Sequence, residues 1–364
     1  MTGIRTSNRI STRRRVLAAL AALALVASGC GGEASTVEDL PTTTEQIPTT
    51  TEQPPTTTTE QLPTTTEPPH LLVVATTTIL GDVARNIVGD HARVEVLMPL
   101  GADPHGYQPS ARQVALLLEA DLVVANGLLL EEGLIGVLAS AAADGANVLE
   151  IGEFLSPLPF GGEGPHHDDD GHHDDDDGHH DDDDGHGHGE HDPHLWMDPV
   201  RMAEAARLIA AELSRIEPGV DWAERADAYA DELTAADARI RQILEVIPAG
   251  QRKLVTNHEA FAYFAARYGF EVVGVVIPGG STLADPSSAQ LASLVETMRE
   301  EGVRAIFTET TQSAALAEAV AAELGGEVRV VPLYTGSLGE PGSGADSLIG
   351  MLITNAERIA EALS

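Results

Sequence analysis

From Leu71 onward the chain alternates two hydrophobic rhythms. Continuous apolar runs, LLVVATT from Leu71 and DLVVAN from Asp121, read as strands buried on both faces. Between and after them, apolar residues three and four apart predict helices at 79–88, at 110–120 and near 131–142. The second of these opens on a capping box, Ser110 with Gln113. RVEVLM and NVLEI complete four strands. The second half repeats the plan, with KLVT, EVVGVVI, RAIFT and VRVV as strands. Its helices are expected at 260–268, from a start capped by Asp285-Pro286, at 313–324 and at 346–362, and Asp198-Pro199 opens a further helix in the same manner. The order implies an α/β chain of two lobes, each a four-stranded, mainly parallel sheet flanked by helices.

Between the halves, Trp222, Ala226, Tyr229, Leu233, Ala236, Ile240 and Ile243 form one apolar stripe. This predicts a single helix of about 27 residues, roughly 40 Å long. The expected organisation is an N-terminal lobe at 70–218, a linking helix at 219–247 and a C-terminal lobe at 248–364. One large α/β domain is the alternative.

The first residues change the setting. Arg5, Arg9 and Arg13 to Arg15 precede an apolar stretch, Val16 to Ala27, too short to span a bilayer. It ends VASGC, so residues 1–29 read as a lipoprotein signal peptide and Cys30 as the lipidated first residue of the mature chain. An ordinary signal with an incidental cysteine is the alternative, and TRRRVL leaves the twin-arginine export route open. Cys30 is the one cysteine in the chain, so no internal disulfide can form. Residues 30–69, rich in Pro and Thr, read as an extended tether that lets the body range on the order of 100 Å from the membrane.

The net charge of −36 argues against a nucleic-acid partner and for an anionic surface that attracts cations. Much of it is local: fourteen acidic side chains lie in 163–192. The run GPHHDDDGHHDDDDGHHDDDDGHGHGEHDPHLWMDP holds ten of the fourteen histidines. Imidazole and carboxylate both bind metals. With nothing apolar to bury, however, residues 161–192 are expected to form a disordered loop. A fixed site needs ligands locked by packing.

Ligands in open α/β sheets bind beyond the carboxyl ends of the strands. His105 follows VEVLM, His258 follows KLVT, Glu309 follows RAIFT, and His194 stands where the acidic run regains order. Each alone reads as a cap or a surface residue; together, on one edge of two sheets, they point to a metal site. His70 and His91 read as surface residues, and Trp196, Phe261 and Tyr263 as packing around the ligands. The pair His258-Glu259 makes no metalloprotease motif, because Ala262 stands four positions beyond His258.

GADPHGYQPS, DPHLWMDPV and TNHEAFAYFAARYGF resemble three segments of the metal-binding receptors of zinc and manganese ABC importers, the cluster A-I substrate-binding proteins. The resemblance runs from Leu71 to the C-terminus. It implies two α/β lobes joined by a long helix, with one divalent ion between them held by His105, His194 and His258. It also implies no enzyme activity, a membrane permease as partner, and an extracytoplasmic, lipid-anchored, monomeric receptor. Three imidazoles suit Zn2+ better than Mn2+, which favours oxygen, and the His-rich acidic loop resembles that of zinc members. One departure stands out: many relatives carry an aspartate in a YTDSLG-like segment, where this chain has YTGSLG with Gly336. The fourth ligand is therefore expected from Glu309, directly or through water. A manganese receptor, a surface zinc buffer or adhesin, and a zinc hydrolase with Glu309 as general base are the competing readings.

Overall fold

The computed structural model describes residues 70–160, 189–325 and 328–364. The signal segment, Cys30, the tether and residues 161–188 of the His/Asp-rich run lie outside the described residues. The first sheet comprises β1 (Leu71–Ala75), β2 (Ala92–Val96), β3 (Leu122–Ala125) and β4 (Val148–Glu150), in the order β2-β1-β3-β4. The second comprises β5 (Lys253–Thr256), β6 (Glu271–Val275), β7 (Ala305–Glu309) and β8 (Arg329–Leu333), in the equivalent order β6-β5-β7-β8. Every pairing between these strands is parallel, so all eight end on the carboxyl edge of their sheet.

The helices are α1 (Thr78–Val88), α2 (Ala111–Glu119), α3 (Ile135–Ala143), α4 (Pro199–Ile216), α5 (Trp222–Leu244), α6 (Ala262–Tyr268), α7 (Ser288–Glu301), α8 (Ala315–Glu323) and α9 (Leu348–Leu363). The Ser110–Gln113 capping box opens α2, and Asp198, with Pro199 at the first helical position, opens α4. Most helices start within two residues of the sequence expectation, and two starts differ in an informative way. Helix α7 is capped by Ser287, not by Asp285-Pro286, because Ser287 and Gln290 form a second capping box. Helix α3 begins at Ile135, and the expected start near Glu131 is a 3-10 turn, Glu132–Leu134, behind which the Glu131 carboxylate accepts from Thr76, Asn126 and Gly127.

Helix α5 buries Trp222, Ala226, Tyr229, Leu233, Ala236 and Ile240, the stripe read from the sequence, with Leu244 rather than Ile243 completing it. That face packs on α4, α1 and α9, and one apolar core runs from β1 through α4 and α5 to β7, β8 and α9. A smaller core on the far side of each sheet completes the layers. At about 25 cal/mol per Å2 of apolar surface, a continuous core of this kind, not any one contact, holds the two lobes on their shared helices. Beyond it lies the carboxyl edge, where the loops after the strands meet around buried polar side chains.

Candidate metal centre

Three of those loops deliver histidines to one point. His105 stands in the loop after β2, His258 two residues beyond β5, and His194 just ahead of a 3-10 turn, Leu195–Met197, that leads into α4. Because β2 is an edge strand and β5 an inner one, His105 and His258 stand at topologically different positions in the two lobes. The three rings are 1 to 2% exposed, and one nitrogen from each lies within 4.8 Å of the others. Nε2 of His258 is 3.0 Å from Nε2 of His194. Two nitrogens on a tetrahedral zinc sit about 3.3 Å apart, given bonds near 2.0–2.1 Å. That pair therefore needs to spread by only a few tenths of an ångström to admit an ion.

Each of these two imidazoles is oriented from behind. Nδ1 of His194 is 2.7 Å from Asp192 Oδ1, and Nδ1 of His258 meets Glu309 Oε1. In the tautomer that donates Nδ1–H to its carboxylate, each ring turns the lone pair of Nε2 toward the centre. His105 differs. Neither of its buried ring nitrogens makes a hydrogen bond, and Nδ1 lies 3.4 Å from Glu132. Buried polar atoms are rarely left without a partner. An orphaned imidazole aimed at two others fits a cation-binding centre.

Glu309, expected within reach of the ion, stands instead on the far side of His258. Its second oxygen accepts from Thr335 Oγ1 at 2.6 Å, so neither oxygen caps the following turn. Burial pushes its carboxyl up, but the attraction of His258 and the bonds from His258 and Thr335 outweigh burial and hold it at about 2. For His258 the balance is the mirror image: burial disfavours the charged ring, yet Glu309 raises it above the ordinary value. Burial and the neighbouring imidazoles press His194 well below its ordinary value, while burial lifts Asp192 to about 7.

Gly336 also has a physical reason. A Cβ there would lie 2.6 Å from Cδ of Pro104, the residue next to His105. Pro104 occupies the space a side chain at 336 would need, so Gly336→Asp cannot simply add a ligand; it would first displace the His105 loop.

The surrounding residues divide into those the sequence showed and those it hid. Trp196 packs edge-on against His194 at 5.3 Å and donates to Thr335 O at 2.8 Å. Phe261 is packed against Phe264, as expected of a core aromatic. Tyr263 is more than packing: its hydroxyl accepts from Leu158 N–H and donates to Asp192 O, clamping the segment that carries His194. Asn126 holds the same segment through Pro193 O at 3.0 Å. It is placed by the turn Gly127-Leu128-Leu129, all three at positive φ and braced by the buried Glu131. His70 and His91 are exposed, and His91 sets its ring edge on Trp222.

Asp103 and Asp192 escaped sequence reading, although a signal existed: the triplet Asp-Pro-His occurs twice, at 103–105 and 192–194. In both, the aspartate accepts from the histidine's own backbone N–H, at 3.1 and 2.9 Å.

The family described as the periplasmic component A of zinc-uptake complexes, ZnuA, matches residues 73–362. The manganese-binding lipoprotein MntA of Bacillus subtilis is 33% identical over 300 residues, covering 80% of this chain and 90% of that protein. The iron-binding protein YfeA of Yersinia pestis is 31% identical, covering 79% of this chain and 85% of its own. Among solved structures, the periplasmic zinc-binding protein TroA of Treponema pallidum superposes with a TM-score of 0.67 at 28% identity, covering 81% of this chain and 99% of that one.

Proposed function

Because the chain belongs to the family of the periplasmic zinc-uptake component A, a family of substrate-binding receptors of ABC transporters and not of enzymes, we propose that it captures Zn2+ outside the cytoplasm and delivers it to a membrane permease. His105, His194 and His258 are the ligands in this reading. Cys30 carries the lipid anchor, as the lipoprotein relatives named for manganese suggest. Glu309 acts through His258, supplying negative charge without touching the ion.

The observation that carries the choice of metal is the donor set: three buried imidazoles converge, and among the described residues no carboxylate joins them. Imidazole suits zinc, whereas manganese favours oxygen donors. The competing reading, a manganese receptor, draws on the names of MntA relatives. Calorimetric titration separates the two. One tight zinc per chain is expected, with manganese at least a hundredfold weaker, and manganese binding as tightly as zinc would overturn the assignment.

Binding should also be proton-linked in a particular way. Zinc must displace the proton that Glu309 stabilises on His258, whose value is raised. It also requires ionised Asp192, because a protonated carboxyl there would leave the proton of His194 on Nε2; Asp192 titrates at about 7. Affinity is therefore full above these values and lost as pH falls through them. His194 itself, held well below the ordinary value, adds no competition in that range. The acid limb should begin near pH 7 with a slope between one and three protons per zinc. Affinities measured from pH 8 to 5.5 check this, and a flat profile would remove His258 and His194 from the shell.

A further inference from the structure

The two Asp-Pro-His triplets share a backbone turn but not a task. Asp192 turns its carboxylate back onto the ring of its own histidine. Asp103 turns its carboxylate away from His105 and across to the other lobe. Its Oδ2 accepts from Thr282 Oγ1 at 2.5 Å and from Gln312 Nε2 at 2.5 Å, while Oδ1 holds the N–H of His105 at 3.1 Å. Thr282 lies in the loop after β6 and Gln312 in the turn after β7, so one carboxylate ties a ligand loop of the N-terminal lobe to two separate loops of the C-terminal lobe. The rest of the His105 loop follows suit: Gly101 N–H donates to Ser337 Oγ at 2.9 Å, and Pro104 fills the space at Gly336.

We infer that Asp103 is the positioning residue that couples placement of the His105 imidazole to closure of the two lobes. Hydrogen bonds to an ionised acceptor are about twice as strong as neutral ones, and this carboxylate accepts one from each of two loops of the opposite lobe. Withdrawing the C-terminal lobe would break both and leave the carboxylate holding only the backbone of its own loop. Conversely, with Asp103 bound to Thr282 and Gln312, His105 cannot swing away from His194 and His258 without breaking its turn. Asp103 therefore acts on how long the ion stays, not on how fast it arrives. Asp192 cannot substitute, because its contacts orient a ring and do not hold the opposing Thr282 and Gln312.

The inference rests on the proposed metal site and is tested separately from it. Zinc-loaded full chain is mixed with excess chelator, and the slow phase of zinc loss gives the dissociation rate; association is measured in the reverse mixing. Asp103→Asn keeps the size but has one acceptor oxygen, so it cannot accept both from the His105 N–H and from Thr282 and Gln312. It should raise the dissociation rate at least tenfold, with association within threefold of the parent. Thr282→Val and Gln312→Leu should each raise dissociation severalfold, and Asp103→Asn combined with Thr282→Val should dissociate no faster than Asp103→Asn alone, as expected of partners in one network. An unchanged rate in Asp103→Asn, or effects that multiply as if independent, would overturn the coupling. Equal damage to association and dissociation would also overturn it, making Asp103 a local brace for His105. If the parent chain itself shows no slow zinc phase, the metal site fails and not the latch.

Discussion

Replacing His258 by alanine should weaken zinc at least a hundredfold, about 2.8 kcal/mol, while His105→Ala should do comparable damage to binding and less to the fold. The two differ in what each ring does without the ion. His258 is bonded on both nitrogens, to His194 and to Glu309. Its loss removes a ligand and also strips a buried, ionised carboxylate of its counter-charge, which is strongly destabilising in general. His105 makes no hydrogen bond through its ring and its neighbour Glu132, 3.4 Å away, reaches solvent, so its removal leaves no buried orphan behind. Calorimetry for zinc and thermal unfolding of the metal-free chain distinguish these consequences. In His258→Ala both should fall, and adding Glu309→Gln should restore much of the melting temperature without restoring zinc. Zinc affinity within a few-fold of the parent in His105→Ala would remove that residue from the ligand set.

The fold was legible because its information is local. Continuous apolar runs and three-four spacing are dictated by neighbours in sequence, so the strands and the buried face of α5 could be read directly. Helix starts were legible where one capping box stood alone, as at Ser110 and Gln113, and misread where two caps competed, as at Asp285 and Ser287. That three histidines would meet was legible because loops at the carboxyl ends of parallel strands share one edge. What lay behind them was not, since it depends on contacts across the chain. Glu309 reaches His258 across 51 positions, and Gln312 reaches Asp103 across 209. No local rule tells a carboxylate beside a metal from one that stands behind its ligand. Gly336 is the sharpest case: as a letter it is an absent ligand, and in space it is the seat of Pro104.

Glu309→Gln should weaken zinc ten- to a hundredfold at pH 8, the usual range for removing a partner that orients a metal-bound histidine. Glutamine can still accept Nδ1–H of His258 through its oxygen and can donate its amide to Thr335 Oγ1, so the hydrogen-bonded shape survives. What disappears is a charge. The ion brings two positive charges into a buried site lined by neutral rings, where a nearby carboxylate is felt far more strongly than in water. Glu309, held at about 2 by His258 and Thr335, is ionised throughout the working range. The same charge favours the competing proton on His258, and this separates an electrostatic role from a structural one. Without it, His258 gives up its proton more readily, so the acid limb of zinc binding should move to lower pH even as affinity at pH 8 declines. The gap between parent and variant should therefore narrow as the solution is acidified. A structural residue would behave otherwise: Glu309→Gln would melt earlier, bind zinc at pH 8 as the parent does, and leave the acid limb where it was.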